Sequence, residues 1–156
     1  LILDFAPEEM NWIPAVIVPR MSILWAIGLV DIEIGGISMK EALEQKNVSF
    51  PSTLIIDTGS NMLNVPYFVE SQIIHLIKRT NYANISFVLE NDKEYKTRLS
   101  YPKKVYVYDG DLIIDSVPKQ DADSIDLTTI IIGSLFMNNF IFSFDSVNQQ
   151  IGISSI

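Results

Sequence analysis

At one point the chain passes from a short apolar segment straight into a carboxylate and a glycine, reading Leu54, Ile55, Ile56, Asp57, Thr58, Gly59, Ser60. Branched apolar residues predict a buried strand, and a glycine permits the sharp turn or close approach that ends it. The strand therefore presents Asp57 at the end of a sheet, where Ser60 offers it a hydroxyl and an amide. This motif carries the clearest chemistry in the chain.

A second apolar segment broken by a glycine lies later in the chain and reads Ile130, Ile131, Ile132, Gly133. It is followed by Leu135 and Phe136 and then by a predicted strand over 140–145. The bare triplet Asp, Thr, Gly arises by accident in roughly a few per cent of chains of this length. The two segments together are much more specific than the triplet alone.

These two segments and the closing run from Phe144 to Gly152 resemble the carboxyl-terminal lobe of a pepsin-like aspartic protease. Three further stretches add to the likeness: the aromatic-led strand at Trp25, the hairpin ending at Gly36, and Leu1 to Trp12, which is similar to the segment joining the family's two lobes. The resemblance covers nearly the whole chain but only one lobe, and the lobe carrying the family's first aspartate is missing.

Bulk composition predicts one domain and excludes several partners. The chain has 156 residues, of which 48% are hydrophobic, enough to bury a sizeable core over 1–156. The net charge of −8 argues against nucleic acid and anionic lipid. There is no cysteine, so thiolate zinc sites and redox chemistry are not expected. The aspartates between 109 and 126 indicate a solvated loop rather than a calcium site.

Membrane and compartment signals are few. The most apolar region, 128–144, contains glycine, serine and asparagine and is too short to span a bilayer. The chain begins at Leu1 and shows no signal-peptide pattern, so any such peptide is expected to have been removed. Asn47 and Asn84 each begin a glycosylation triplet, which favours the secretory pathway, a vacuole or lysosome, or the cell exterior.

The secondary-structure pattern predicts a mostly β, antiparallel domain of barrel or sandwich type, and the resemblance implies the acid-protease barrel. Hairpins are predicted where strands flank turn residues, at Ile23–Ile34 with Gly35 and Gly36, Ile85–Glu90 with Tyr95–Leu99, Val105–Tyr108 with Leu112–Asp115, and Phe140–Phe144 with Gln150–Ser154. The one clear helix begins with Pro66 as its first residue and ends near Arg79, with short helical turns elsewhere. His75 lies off its apolar face and is predicted to face solvent.

Hydrolysis of a peptide bond by an activated water needs a base for the water and an acid for the carbonyl and leaving nitrogen. Two carboxylates held close together share one proton and can do both, and aspartic proteases are the standard instance. Asp57 supplies half of such a pair. Asp109, Asp115 and Asp145 lack the same strand and turn pattern, so catalysis requires another lobe or chain.

The resemblance assigns roles residue by residue. It implies that Asp57 is the second catalytic aspartate, held by Gly59 and Ser60, while Thr58 braces the two active-site loops. It assigns the remaining site residues as loop support, by Ile131, Ile132 and Gly133, and as substrate contacts, by Ser60, Asn61, Ile55 and Ile131. No metal ion or cofactor is expected. The chain departs from the family at Ser134, where an aspartate is common, and at Thr128 or Thr129, where an aromatic residue is common.

Three functions remain open at this point. The leading hypothesis is an aspartic endopeptidase lobe that acts on peptides or proteins together with an amino-terminal lobe. The second is an inactive pepsin-like binding or structural module. The third is a symmetric homodimer in which each copy contributes Asp57.

Overall fold

The computed structural model describes residues 10–16, 25–60, 63–81, 84–91, 97–101, 114–117 and 129–155. Its elements, in chain order, are β1 (Asn11–Pro14), β2 (Trp25–Ile34), β3 (Ile37–Ser38), α1 (Met39–Glu44), β4 (Thr53–Ile56), β5 (Leu63–Pro66), α2 (Tyr67–Arg79), β6 (Ile85–Leu89), β7 (Thr97–Ser100), β8 (Ile114–Val117), β9 (Thr129–Ile132), α3 (Ser134–Met137), β10 (Phe140–Asp145) and β11 (Gln150–Ser155). The mostly β composition predicted from the sequence is confirmed, with α2 as the one long helix among the described residues.

The strands form two sheets. The smaller has three antiparallel strands in the order β1-β11-β10, and the larger has eight, in the order β7-β6-β2-β4-β9-β5-β8 with β3 paired to β2. Ala15, the residue after β1, forms an isolated antiparallel bridge with Ile27 of β2. The predicted hairpins β6–β7 and β10–β11 are confirmed by their antiparallel registers.

The sheet pattern corrects one part of the sequence expectation. The larger sheet is mixed, because β4 pairs parallel with β9 and β5 pairs parallel with β8. Within the described residues neither sheet closes into a barrel, since β7 and β8 lie at opposite ends of the larger one. Ile114 and Asp115 belong to β8, and the rest of the hairpin predicted over 105–115 lies outside the described residues.

Two glycines make the tight turn between β2 and β3. Gly35 and Gly36 have φ of 58° and 79°, and the register pairs Ile34 with Ile37 across them. Side-chain-bearing residues adopt such angles at a cost, whereas glycine does so readily. The hairpin predicted from this pair of glycines is confirmed.

The helix α2 packs one apolar face on the larger sheet. Its buried residues are Val69, Gln72, Ile73, Leu76 and Ile77, and His75 is exposed as predicted. The prediction that Pro66 is the first helical residue was wrong by one position. Pro66 is the last residue of β5 and the N-cap of α2, with φ −58° and ψ 149°. This extended conformation lets the chain pass directly from strand to helix.

An aromatic cluster fills the space between the sheets and α3. Phe136 is buried, and its ring lies 5.2 Å from Phe87, 5.4 Å from Tyr101 and 5.4 Å from Phe140. Because α3 follows Gly133 directly, this packing fixes the end of β9 where the sequence places its second glycine.

Candidate functional site

The strand β4 delivers Asp57 to the end of the larger sheet. Leu54, Ile55 and Ile56 are buried, and β4 lies between β2, which pairs Trp25 with Ile56, and β9, which pairs Ile132 with Ile56. The sheet therefore holds the strand on both sides up to the residue before the carboxylate. Asp57 itself is half-buried.

Hydrogen bonds hold the loop that follows. The Asp57 N–H donates to the carbonyl of Ile132 at 3.1 Å, which continues the β4–β9 pairing by one residue. The Gly59 N–H donates to Asp57 Oδ1 at 2.9 Å, and the Ser60 N–H donates to the carbonyl of Asp57 at 3.2 Å. Within the described part of the chain Asp57 Oδ2 has no hydrogen-bond partner. One carboxylate oxygen is held, and the residues that the structure describes leave the other available.

The structure gives a different reason for Gly59 than backbone angles alone. Its φ does not lie in the left-handed region, unlike those of Gly35 and Gly36. A Cβ at this position would lie 3.2 Å from Asp57 Oδ1, the atom to which the Gly59 N–H donates. Glycine therefore leaves room for the carboxylate oxygen, which any larger residue would press upon.

The second glycine segment lies directly beside this loop. The Ser134 N–H donates to the carbonyl of Ser60 at 2.8 Å, while Ile132 accepts from Asp57. Ile131 pairs with Ile55 in β4 and with Asn64 in β5, so β9 lies between β4 and β5. The two segments that the sequence singled out are thus brought together.

One residue of this cluster was missed by the sequence analysis. Asn64 in β5 donates from Nδ2 to Ser60 Oγ at 2.9 Å. A lone asparagine in a short strand carries no pattern that marks it, and its partner is known only once β5 is seen beside β9.

The remaining predicted residues lie as follows. The Thr58 side chain is exposed, and it makes no hydrogen bond to the described residues. Ile55 is fully buried in a small cluster with Ala26 and the half-buried Ile131, so its side chain does not line an open surface here. Asn61 lies outside the described residues.

The glycosylation candidates are both accessible. Asn47 and Asn84 are exposed, and Asn47 has a φ of 56° in the turn after α1. Asn47 also lines an open cavity of about 510 Å³ beside Lys40 and Glu90, and neither this cavity nor a second one between α1 and α2 includes Asp57.

The described residues contain no group of three or more histidine and acidic side chains placed to hold a metal ion. Among the helices that the structure describes, none has the length and apolar character needed to cross a membrane. Chemically, the site offers one carboxylate with an available oxygen, and in the described part of the chain no second carboxylate is hydrogen-bonded to it.

No protein-family model matches this chain, and no curated protein matches its sequence.

Proposed function

We propose that this chain is the carboxyl-terminal lobe of a pepsin-like aspartic endopeptidase and supplies one of its two catalytic carboxylates. The observation that carries the proposal is the placement of Asp57, half-buried at the end of β4 with Oδ1 held by Gly59 and Oδ2 unbonded within the described residues. A carboxylate that is fixed by one oxygen can exchange a proton through the other.

The proposed reaction is hydrolysis of a peptide bond by water, without a cofactor. Asp57 lies beside an aspartate from the partner lobe in the proposed assembly. The two share one proton, because two neighbouring carboxylates do not both ionise easily. The ionised member takes a proton from the attacking water, while the protonated member gives its proton to the carbonyl oxygen, so that a gem-diol forms. As the C–N bond breaks, the first member passes the proton from water to the leaving nitrogen, and the second takes a proton back from a gem-diol hydroxyl, which restores the shared proton. The fixed loop keeps Asp57 oriented through these steps.

The partner is proposed to be an amino-terminal lobe, either on a separate chain or joined to this one, and the substrate a peptide or protein. A homodimer in which two copies of Asp57 meet is the alternative assembly. The setting proposed is the secretory pathway, a vacuole or lysosome, or the cell exterior, which the exposed Asn47 and Asn84 support.

An inactive binding module is the alternative function. It is favoured by one observation: in the described part of the chain Asp57 has no carboxylate partner of its own. In this case the loop is an inherited scaffold, and the protein binds peptides without cutting them.

Native material distinguishes these proposals. The protein is purified from its source with whatever remains bound, its components are identified by mass spectrometry, and binding of a statine-type inhibitor is measured by calorimetry. We expect a second aspartate-bearing lobe and one inhibitor bound per pair of lobes. A monomer of this chain alone that binds no inhibitor contradicts the protease and supports the module.

A further inference from the structure

Asn64 occupies a position that its own strand does not favour. Asparagine is depleted in β-strands, and its neighbours Leu63 and Val65 are buried apolar residues of β5. Side chains alternate between the two faces of a strand, so Asn64 points to the face opposite these two. There its amide meets Ser60 Oγ at 2.9 Å instead of packing into the core.

Ser60 is the residue through which three parts of the site meet. Its N–H donates to the Asp57 carbonyl, its carbonyl accepts from the Ser134 N–H, and its Oγ accepts from Asn64 Nδ2. The first bond belongs to the aspartate loop, the second to the turn at Gly133, and the third to β5. Asn64 provides the side-chain tie from β5 to this junction.

The direction of the Asn64 bond also restrains the Ser60 hydroxyl. Because the amide nitrogen of Asn64 donates, Ser60 Oγ is the acceptor, and its own hydrogen is turned away from Asn64. The hydroxyl is thereby restricted in rotation beside the turn that holds Asp57 Oδ1.

We propose that Asn64 is a positioning residue for the catalytic loop: it holds Ser60, and through Ser60 the orientation of the Asp57 carboxylate. The inference rests on the proposed function and goes beyond it, because Asn64 acts through Ser60 rather than on the carboxylate or the substrate directly. Its loss acts on the chemical step, whereas substrate affinity is left nearly unchanged.

The test uses the active assembly of the natural protein and the variant Asn64→Leu, which keeps the size of the side chain and removes the donor. Asn91→Leu is the matched control, since Asn91 is also half-buried and donates from Nδ2 to a hydroxyl, that of Thr97, in the β6–β7 hairpin. Turnover and KM are measured for a peptide substrate, together with thermal stability. Ser60→Ala and the double variant complete a cycle.

We expect Asn64→Leu to lower kcat about three- to tenfold with KM unchanged, because losing the bond to Ser60 leaves Asp57 less well oriented by about the free energy of one hydrogen bond. Ser60→Ala is expected to lower kcat by a similar factor, and the double variant to lose no more than either single one. Asn91→Leu is expected to lower the melting temperature without changing kcat.

The inference is overturned if Asn64→Leu and the wild type have equal kcat. It is also overturned if the loss of kcat in the double variant equals the product of the two single losses. Should Asn64→Leu fail to fold, Asn64→Ala, which also lacks the donor, is subject to the same criteria. The proposed function is tested separately, by the loss of cleavage expected in Asp57→Asn. If the wild-type protein cleaves no peptide, both proposals are wrong. If the wild type is active and the Asn64 variants are unaffected, only the inference about Asn64 is wrong.

Discussion

The backbone N–H of Asp57 donates to the carbonyl oxygen of Ile132 at 3.1 Å. This bond joins the end of β4, where the chain presents its carboxylate, to the end of β9, where the second glycine segment stops. A few residues further along each segment, the Ser134 N–H donates to the Ser60 carbonyl at 2.8 Å. The main chain that carries the carboxylate is therefore held by the sheet itself, and changes in either segment are expected to move Asp57.

Replacing Gly59 by alanine is expected to reduce activity more than stability. The added Cβ would lie 3.2 Å from Asp57 Oδ1, so the carboxylate must shift by a few tenths of an ångström away from the Gly59 N–H. The backbone φ is not left-handed, so alanine brings no backbone strain there. We expect at least a roughly tenfold loss of kcat with a change in unfolding free energy below about 1 kcal/mol.

Gly36→Ala is the matched control for this prediction. Gly36 has a φ of 79°, and the space that a Cβ would occupy there is open, so alanine costs backbone strain but meets no neighbour. A loss of about 1 kcal/mol in unfolding free energy with full activity is expected. If Gly59→Ala behaves like Gly36→Ala in both measurements, the close-approach argument is wrong.

Gly152→Ala is expected to loosen β1 from the smaller sheet. A Cβ at Gly152 would lie 2.6 Å from Met10 Cγ and 3.0 Å from Trp12 Cε3, and would also contact Met10 Sδ. Overpacking of this kind costs about 1–3 kcal/mol. Chemical denaturation measures the loss, and adding Met10→Ala is expected to restore part of it. No recovery in the double variant would show that the strain lies elsewhere.

Phe136→Ala is expected to be the most destabilising of these changes. The buried ring contacts Phe87, Tyr101 and Phe140, and its removal leaves a cavity under α3 that costs about 3–5 kcal/mol. Because α3 follows Gly133, the Ser134 bond to Ser60 is expected to weaken as well. Denaturation and amide hydrogen exchange at Ser134 measure the two effects. Unchanged exchange at Ser134 would show that the packing of Phe136 does not affect the bond between Ser134 and Ser60.

The turn at Asp145 predicts a pH dependence. The Asn148 side chain donates to Asp145 Oδ2 at 2.8 Å, and this bond, followed by the Asn148 N–H bond, lowers the pKa of Asp145 below its ordinary value. Since the folded pKa lies below the unfolded one, the stabilisation is present above the ordinary aspartate value of about 3.9 and is lost as pH falls through the lowered pKa.

Asn148→Ala is therefore expected to raise the pKa of Asp145 toward that ordinary value, as followed by NMR titration of its carboxyl carbon. Asn138→Ala, at another exposed asparagine, is the control. A titration midpoint that does not move in Asn148→Ala would mean that the backbone N–H groups of the turn and the Gln150 side chain, which also donates to Asp145 Oδ2, account for the lowered pKa.

The sequence predicted the parts of the fold that depend on local pattern. The apolar run into Asp57, the glycines at 35 and 36, the helix over α2 and the closing hairpin follow from side-chain periodicity and turn chemistry, which neighbouring residues decide. The predicted start of α2 was wrong by one residue, because a proline suits both the first helical position and the N-cap before it.

The remaining features depend on contacts between distant segments. The position of β9 between β4 and β5 follows from long-range pairing, and so does the bond from Asn64 to Ser60. The reason for Gly59 became clear only with the position of Asp57 Oδ1, since a glycine in a sequence does not distinguish close approach from unusual backbone angles. The mixed pairing of the larger sheet was missed because strand periodicity carries no direction.

The most direct test of the proposed role of Asp57 compares Asp57→Asn with Asp145→Asn in the active assembly of the natural protein. Asp145 is matched because it also lies at the end of a strand and accepts a bond from the N–H two residues on, that of Val147, at 3.1 Å. Cleavage of a peptide substrate is measured at acidic pH, with folding checked by circular dichroism. The account predicts that Asp57→Asn folds but cleaves at least roughly a thousandfold more slowly, on the order expected for a lost catalytic group, whereas Asp145→Asn stays active. Undiminished cleavage by folded Asp57→Asn would contradict it.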